Sequence, residues 1–189
     1  TEVALDAWGA DAAYSGTQKC LSCAPGLSPI SLSQRAVETI KSRKTPVSSW
    51  FLDLNLVMGY WGEGQTRSYH HTAPVNALYG LHEALVVLHE EGLASSWSRH
   101  TRNHNALKAG LEAMGLTFVV PEAERLPQLN LVSVPEGVDE ASVRKQLLQQ
   151  YNLEIGAGLG SLAGRVWRIG LMGFASNPKN VLFCVNALE

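Results

Sequence analysis

Tyr14-Ser15-Gly16-Thr17-Gln18-Lys19-Cys20-Leu21 is the stretch from which the rest of the chain becomes readable. It sets one ammonium group, Lys19, between small polar residues and the apolar, proline- and glycine-bearing segment Leu21-Ser22-Cys23-Ala24-Pro25-Gly26-Leu27. A lysine partly enclosed by apolar surface loses hydration. Its charged form is then disfavoured, and a neutral amine becomes available to attack a carbonyl. The plain alternative is a lysine at a strand end with its head in water, which composition alone favours.

Neighbouring segments favour the first reading. Ser15-Gly16-Thr17-Gln18-Lys19, then Ala24-Pro25-Gly26 and Pro29-Ile30-Ser31-Leu32-Ser33, resemble the cofactor-lysine segment of class V aminotransferases in their alanine–glyoxylate (serine–pyruvate) branch. Ser42-Arg43-Lys44-Thr45, Tyr60-Trp61-Gly62, Tyr69-His70-His71-Thr72 and Val166-Trp167-Arg168-Ile169-Gly170 follow in the same order. The resemblance implies an α/β fold: the C-terminal part of the fold-type I large domain over residues 1–92, then a small α/β sandwich domain over 93–189. It also implies that a first half of comparable length, with the aspartate for the pyridine nitrogen and the aromatic that stacks on the ring, lies outside this chain. The chain opens on Thr1, so a fragment with little activity of its own is expected.

The same resemblance implies the chemistry. Lys19 would hold pyridoxal 5'-phosphate and move a proton between the substrate and the cofactor, and Gln18 would contact the phosphate on the same subunit. Tyr69 and Thr72 would reach across a homodimer interface to the phosphate of the neighbouring subunit's cofactor, a task that suits hydroxyl donors. Arg168 would take the α-carboxylate of the amino or keto acid. The residues themselves support that assignment: Arg168 interrupts an apolar strand on the side opposite Trp167 and Ile169, and its planar fork suits a carboxylate. A salt bridge to Glu154 is the alternative.

The implied reaction is transamination between alanine or serine and glyoxylate or pyruvate. The runner-up is a ureidoglycine–glyoxylate aminotransferase, which Val166 to Leu188 also resembles. Tyr69 favours the first reading, because that branch tends to carry asparagine there. Cysteine desulfurase chemistry needs a reactive thiol on a mobile loop, whereas Cys184 falls in a helical pattern. A reading of another class is a folded fragment that acts only as an interaction domain.

At 189 residues, 46% hydrophobic and 17% charged, the chain can form one or two globular domains. It shows no leading apolar signal segment and no apolar run of bilayer length, and a cytoplasmic setting is expected. With a net charge of −2 and dispersed basic residues, neither a nucleic-acid footprint nor a polybasic membrane patch is present. No metal site is expected. Cys20 and Cys23 lack a second ligand pair, and Pro25 and Gly26 interrupt any redox helix, so structural thiols are expected. His82-Glu83 is followed by Val86 where a zinc-protease motif needs histidine. His100 and His104 share a helix face that Ser98, Arg99, Arg102 and Asn103 mark as solvated.

Periodicity supplies the elements. Ala12–Ser15 predicts a short buried strand and Pro29–Leu32 its return. Ser33 caps a helix to Ser42 with Ala36, Val37 and Ile40 inward. A short helix is expected near Leu52–Gly59. Val75–Glu91 predicts a helix with Leu78, Leu81, Leu85 and Leu88 inward, and Leu93–Met114 another with Trp97, Leu107 and Leu111 inward. Strands are expected at Thr117–Val120, Leu129–Val134, Leu153–Ile155 and Arg165–Ile169. Helices start at Asp139, with Val143, Leu147 and Leu148 inward, and at Asn177-Pro178. Gly156-Ala157-Gly158-Leu159-Gly160 lacks dinucleotide-loop spacing, and the resemblance makes it a tight loop near the substrate entrance.

Overall fold

A computed structural model describes residues 1–60 and 69–189, so the expectation resting on Trp61 and Gly62 falls outside the described residues. β1 (Ala12–Tyr14) and β2 (Ile30–Leu32) form the predicted antiparallel pair, with Tyr14 opposite Ile30. The pair is not buried as expected. Tyr14 is 86% exposed, because a ribbon of two strands leaves its faces open unless another layer covers them.

α1 (Gln34–Lys41) keeps its predicted cap and face. The Ser33 hydroxyl accepts from the Ala36 amide at 3.1 Å, and Ala36, Val37 and Ile40 are its half-buried residues. Ser33 also donates to Asp11, whose carboxylate is held below its ordinary range by Arg35 first and Ser33 second. A 3₁₀ turn at Trp50–Leu52, α2 (Leu54–Val57) and a second turn at Met58–Tyr60 realise the short helix expected nearby.

α3 (Val75–Glu91) has the predicted bounds but a different environment. Leu81 and Leu88 are half-buried, whereas Leu78, Leu85, Tyr79 and Val87 are exposed. Apolar residues on several sides are the composition of a helix covered from several directions, and the described residues cover only part of it.

Two compact units arise. One comprises Val3–Thr17 and Cys23–Glu83; the other comprises Thr1–Glu2, Gln18–Ser22 and Ala84–Glu189. Gln18 and Lys19 therefore belong to the same unit as the C-terminal half of the chain.

In that unit α4 (Leu93–Ala113) runs between Gly92 and Gly115, both at φ +80°. β3 (Leu129–Ser133), α5 (Glu140–Tyr151), β4 (Gly156–Ala157), β5 (Val166–Gly170) and α6 (Pro178–Leu188) follow, with Asp139 and Asn177 as the predicted caps. The sheet order is β3-β5-β4, antiparallel throughout. Two predicted strands differ. Leu153–Ile155 is not paired, because Asn152 turns left-handed at φ +52° and the Leu153 amide closes the end of α5 on the Leu147 carbonyl. Thr117–Val120 contributes only a bridge between Phe118 and Val132.

The core lies between β5 and the helices. Trp167 and Ile169 face inward with their cross-strand partners Val132 and Asn130, against Leu107 and Leu111 of α4, Leu147 of α5, and Val181 and Cys184 of α6. Burial pushes the Cys184 thiol up to about 11. Leu148, expected inward, is half exposed.

The expected solvated face at His100 and His104 is overturned. Their exposures are 3% and 7%, and Asn103 between them is 2% exposed. Hydrogen bonds make this burial tolerable. His104 donates from Nδ1 to Asn130 Oδ1 at 2.6 Å, and Asn130 Nδ2 donates to the Ile169 carbonyl, so one buried polar chain ties α4 to β3 and β5.

Candidate functional site

Gln18 and Lys19 lie on a tight turn in which the Ser22 amide donates to the Lys19 carbonyl at 3.0 Å. Just upstream, fully buried Thr17 donates its hydroxyl to the Ala24 carbonyl at 2.8 Å. The partly apolar enclosure expected around Lys19 is not formed by the described residues, since both Gln18 and Lys19 are exposed. Buried Thr17 anchors the backbone, and the turn projects the two side chains outward. Cys20, expected to be structural, is exposed, while Cys23 is half-buried, and all three cysteines are free.

The turn is docked on a second one at Gly173–Ala175. Ser22, at φ +54°, accepts through Oγ from the Phe174 amide at 2.8 Å. Gly173 donates its amide to His100 Nε2 at 3.0 Å, and Arg99 donates to the Gly173 and Ser176 carbonyls at 2.7 Å each. The rest of the Arg99 guanidinium is paired with Glu91, which is thereby held below the ordinary carboxylate range. Sequence reasoning missed Ser22, Glu91, Arg99, His100 and Gly173.

Arg168 occupies the centre of β5, opposite Leu131 on one side and Gly156 on the other. Strand alternation places it on the face away from Trp167 and Ile169, as predicted. Half-buried, it donates from Nε to the Ala157 carbonyl at 2.6 Å. The alternative salt bridge to Glu154 does not form: Glu154 is exposed, and among the described residues Arg168 makes no ion pair. Among the described residues its two terminal nitrogens have no hydrogen-bond partner. Gly156 and Ala157, expected in a loop, are strand residues paired with Arg168 and Trp167.

Tyr69 and Thr72 belong to the other unit, where their hydroxyls are hydrogen-bonded to each other and both residues are exposed. His70 between them is buried and donates from Nε2 to the Trp50 carbonyl at 2.8 Å. His71 stacks on Trp50, and Tyr60 OH accepts from the amides of both histidines. The histidines thus pack and brace the loop, while the two hydroxyls point outward as a pair. Among the described residues no cluster of three or more metal-ligating side chains occurs, and no helix is long and apolar enough to cross a membrane.

An exposed lysine on a braced turn shares one unit with an arginine that has no carboxylate partner among the described residues, and a pair of accessible hydroxyls stands in the other. The family model described as Aminotransferase class-V matches residues 1–175. The chain belongs to that family. It is 38% identical over its whole length to the (S)-ureidoglycine–glyoxylate transaminase of Bacillus subtilis, covering 49% of that protein. It is 44% identical over 98% of its length to the alanine–glyoxylate aminotransferase of Callithrix jacchus, covering 45% of it. The crystal structure of the alanine–glyoxylate aminotransferase from Nostoc sp. superposes with a TM-score of 0.96 at 49% identity, over the whole chain and 50% of that protein. The chain thus spans about half the length of the relatives it matches.

These matches establish the fold-type I α/β architecture, and class V aminotransferases depend on pyridoxal phosphate. The side chains present suit that group. Lys19 offers a primary amine, Gln18 an amide beside it, and Tyr69 and Thr72 offer hydroxyls for a phosphate dianion.

Proposed function

We propose that the protein containing this chain is a cytoplasmic, homodimeric aminotransferase that exchanges the amino group of alanine or serine with glyoxylate or pyruvate. In it, residues 1–92 belong to the cofactor-binding large domain and 93–189 to the small domain. The observation that carries the reading is Lys19 on a turn braced at both ends in the same unit as Arg168, whose guanidinium has no acidic partner among the described residues.

Pyridoxal phosphate, when bound, supplies the aldehyde that accepts an amino group and a ring that stores the charge left by a lost proton. Lys19 would hold it through its amine. The Lys19 amine, when free, would move a proton between the substrate α-carbon and the cofactor. Gln18 would hold the phosphate within the subunit, while Tyr69 and Thr72 would donate to the phosphate of the other subunit's cofactor. Arg168 spends Nε on the Ala157 carbonyl, so its two terminal nitrogens take the substrate carboxylate end-on and fix its orientation.

The test is borohydride reduction of the full-length protein with pyridoxal phosphate, followed by peptide mapping. The label is expected on Lys19 alone; a label on Lys41, Lys44 or Lys108 overturns the assignment. Whole-chain similarity to a ureidoglycine–glyoxylate transaminase keeps a second donor in play. Assays of glyoxylate with alanine, serine and ureidoglycine decide between the donors.

A further inference from the structure

The contacts between the Lys19 turn and the Gly173 turn form a closed set. The Gly173 amide can only donate and the Ser96 carbonyl can only accept, so His100, bonded to both, is neutral with its hydrogen on Nδ1 and a fixed acceptor at Nε2. Arg99 satisfies the Gly173 and Ser176 carbonyls, Asn103 donates to the Ser176 hydroxyl at 3.1 Å, and Asn177 donates to the Phe174 carbonyl at 3.0 Å. The remaining donor, the Phe174 amide, goes to Ser22.

Gly173 sits at φ +55°, and a β-carbon there would collide with Ser22 Oγ and stand 2.6 Å from the Cys20 carbonyl oxygen. The turn therefore admits no side chain without displacing the residues that flank Lys19. Ser22, for its part, holds a left-handed backbone that a side chain disfavours, and the bond to Phe174 offsets that cost.

We propose that Ser22, Gly173 and His100 are positioning residues that clamp the Lys19 turn, with Glu91 and Arg99 bracing the clamp from α3 and α4. The inference rests on the reading that Lys19 carries the cofactor. An amine that must both hold the cofactor and later meet a substrate proton needs a backbone fixed to a fraction of an ångström, because small misplacements cost large factors in rate. An exposed lysine on an exposed turn has no such constraint of its own; the clamp supplies it from the C-terminal half of the unit.

The test uses the full-length protein with His100→Leu, His100→Gln, Gly173→Ala and Ser22→Ala. Two readouts concern the turn: amide hydrogen exchange of peptides covering Gln18 to Leu21, and the rate at which Lys19 becomes fixed to added pyridoxal phosphate when samples are quenched with borohydride. His100→Leu is expected to raise the exchange and slow the fixation about tenfold, the worth of one buried bond. His100→Gln, which restores an acceptor near Nε2, recovers most of both. Ser22→Ala touches no core residue and should move both readouts in the same direction, with a smaller fall in melting temperature than His100→Leu. If fixation in the unaltered protein occurs at another lysine, the cofactor reading falls and this one with it. If it occurs at Lys19 and neither Ser22→Ala nor His100→Leu changes exchange or rate, the clamp alone is overturned.

Discussion

Gly156 stands directly across from Arg168 in the β4–β5 pairing, and the arginine fills the space that a side chain at Gly156 would take. A β-carbon there would lie 3.3 Å from Arg168 Nε and 3.4 Å from its Cβ and Nη2. Gly156→Val should therefore push the guanidinium aside without touching the Lys19 turn. The expected result is a rise in KM for the amino acid of about tenfold, the scale of one distorted charge-assisted bond. Fixation of pyridoxal phosphate at Lys19 should stay unchanged, and steady-state kinetics with peptide mapping check both.

If Arg168 takes the substrate carboxylate as proposed, Arg168→Lys tests the orientation of that group rather than its charge. Lysine keeps the positive charge but loses the two parallel terminal donors, and it cannot keep the bond to the Ala157 carbonyl at the same time. A loss of roughly 2 to 4 kcal/mol of transition-state stabilisation is expected, a fall in kcat/KM of about 30- to 1,000-fold. Unchanged substrate kinetics with weaker cofactor binding would move the carboxylate role to another cation.

Tyr69 and Thr72 carry the prediction about shared sites. Their paired hydroxyls are exposed while His70 and Tyr60 brace the loop beneath them. If they act on the neighbouring subunit's cofactor, mixing a Lys19→Ala variant with a Tyr69→Phe, Thr72→Val variant should form hybrid dimers with one intact site and recover part of the activity, up to about a quarter for random exchange. Demonstrated subunit exchange without recovery would count against action in trans.

The sequence carried the helices, their caps and the Lys19 segment, because these signals are local: Ser33, Asp139 and Asn177 each accept amides within three residues of themselves. His100 and His104 were misread because residue type was set above period. Counting back from Leu107 and Leu111 by threes and fours gives Asn103, His104, His100 and Ser96, and all four are buried. The Gly173 clamp was not legible by any such rule, since its contacts join residues more than seventy positions apart. The exposure of Tyr14 and Leu78 was equally hidden, whereas that of Lys19 is the alternative that composition alone favours. An apolar pattern states that a side chain should be covered, but not by which part of a protein.

The buried polar chain from α4 to the sheet predicts a stability effect. Asn130→Leu removes the acceptor of His104 Nδ1 and one donor to the Ile169 carbonyl, leaving the buried His104 Nδ1 without its partner. A loss of about 1 to 3 kcal/mol is expected from denaturant unfolding. A change below about 0.5 kcal/mol would show that the network does not hold the sheet to α4.

Acid should loosen the Lys19 turn through Glu91. The hydrogen bond from Arg99 is the largest cause of the depressed Glu91 pKa, with burial opposing it, so the folded state holds this carboxylate ionised below its ordinary value of 4.5. Between the folded and the ordinary value the unfolded chain binds the proton more readily. The contribution of the pair is therefore complete above about pH 5 and is lost as pH falls through the folded value. Asp11, Glu122 and Asp139 are held low by their hydrogen-bond partners as well and add to a slope of the same sign. Glu91→Gln isolates one group: it should melt below the unaltered protein at pH 7, and the gap should close toward pH 3. Because Arg99 carries the pull of Glu91 to the Gly173 and Ser176 carbonyls, exchange of the Gln18–Leu21 amides in the unaltered protein should rise over the same acid window. A gap that persists at pH 3 would mean that packing rather than charge gives Glu91 its effect.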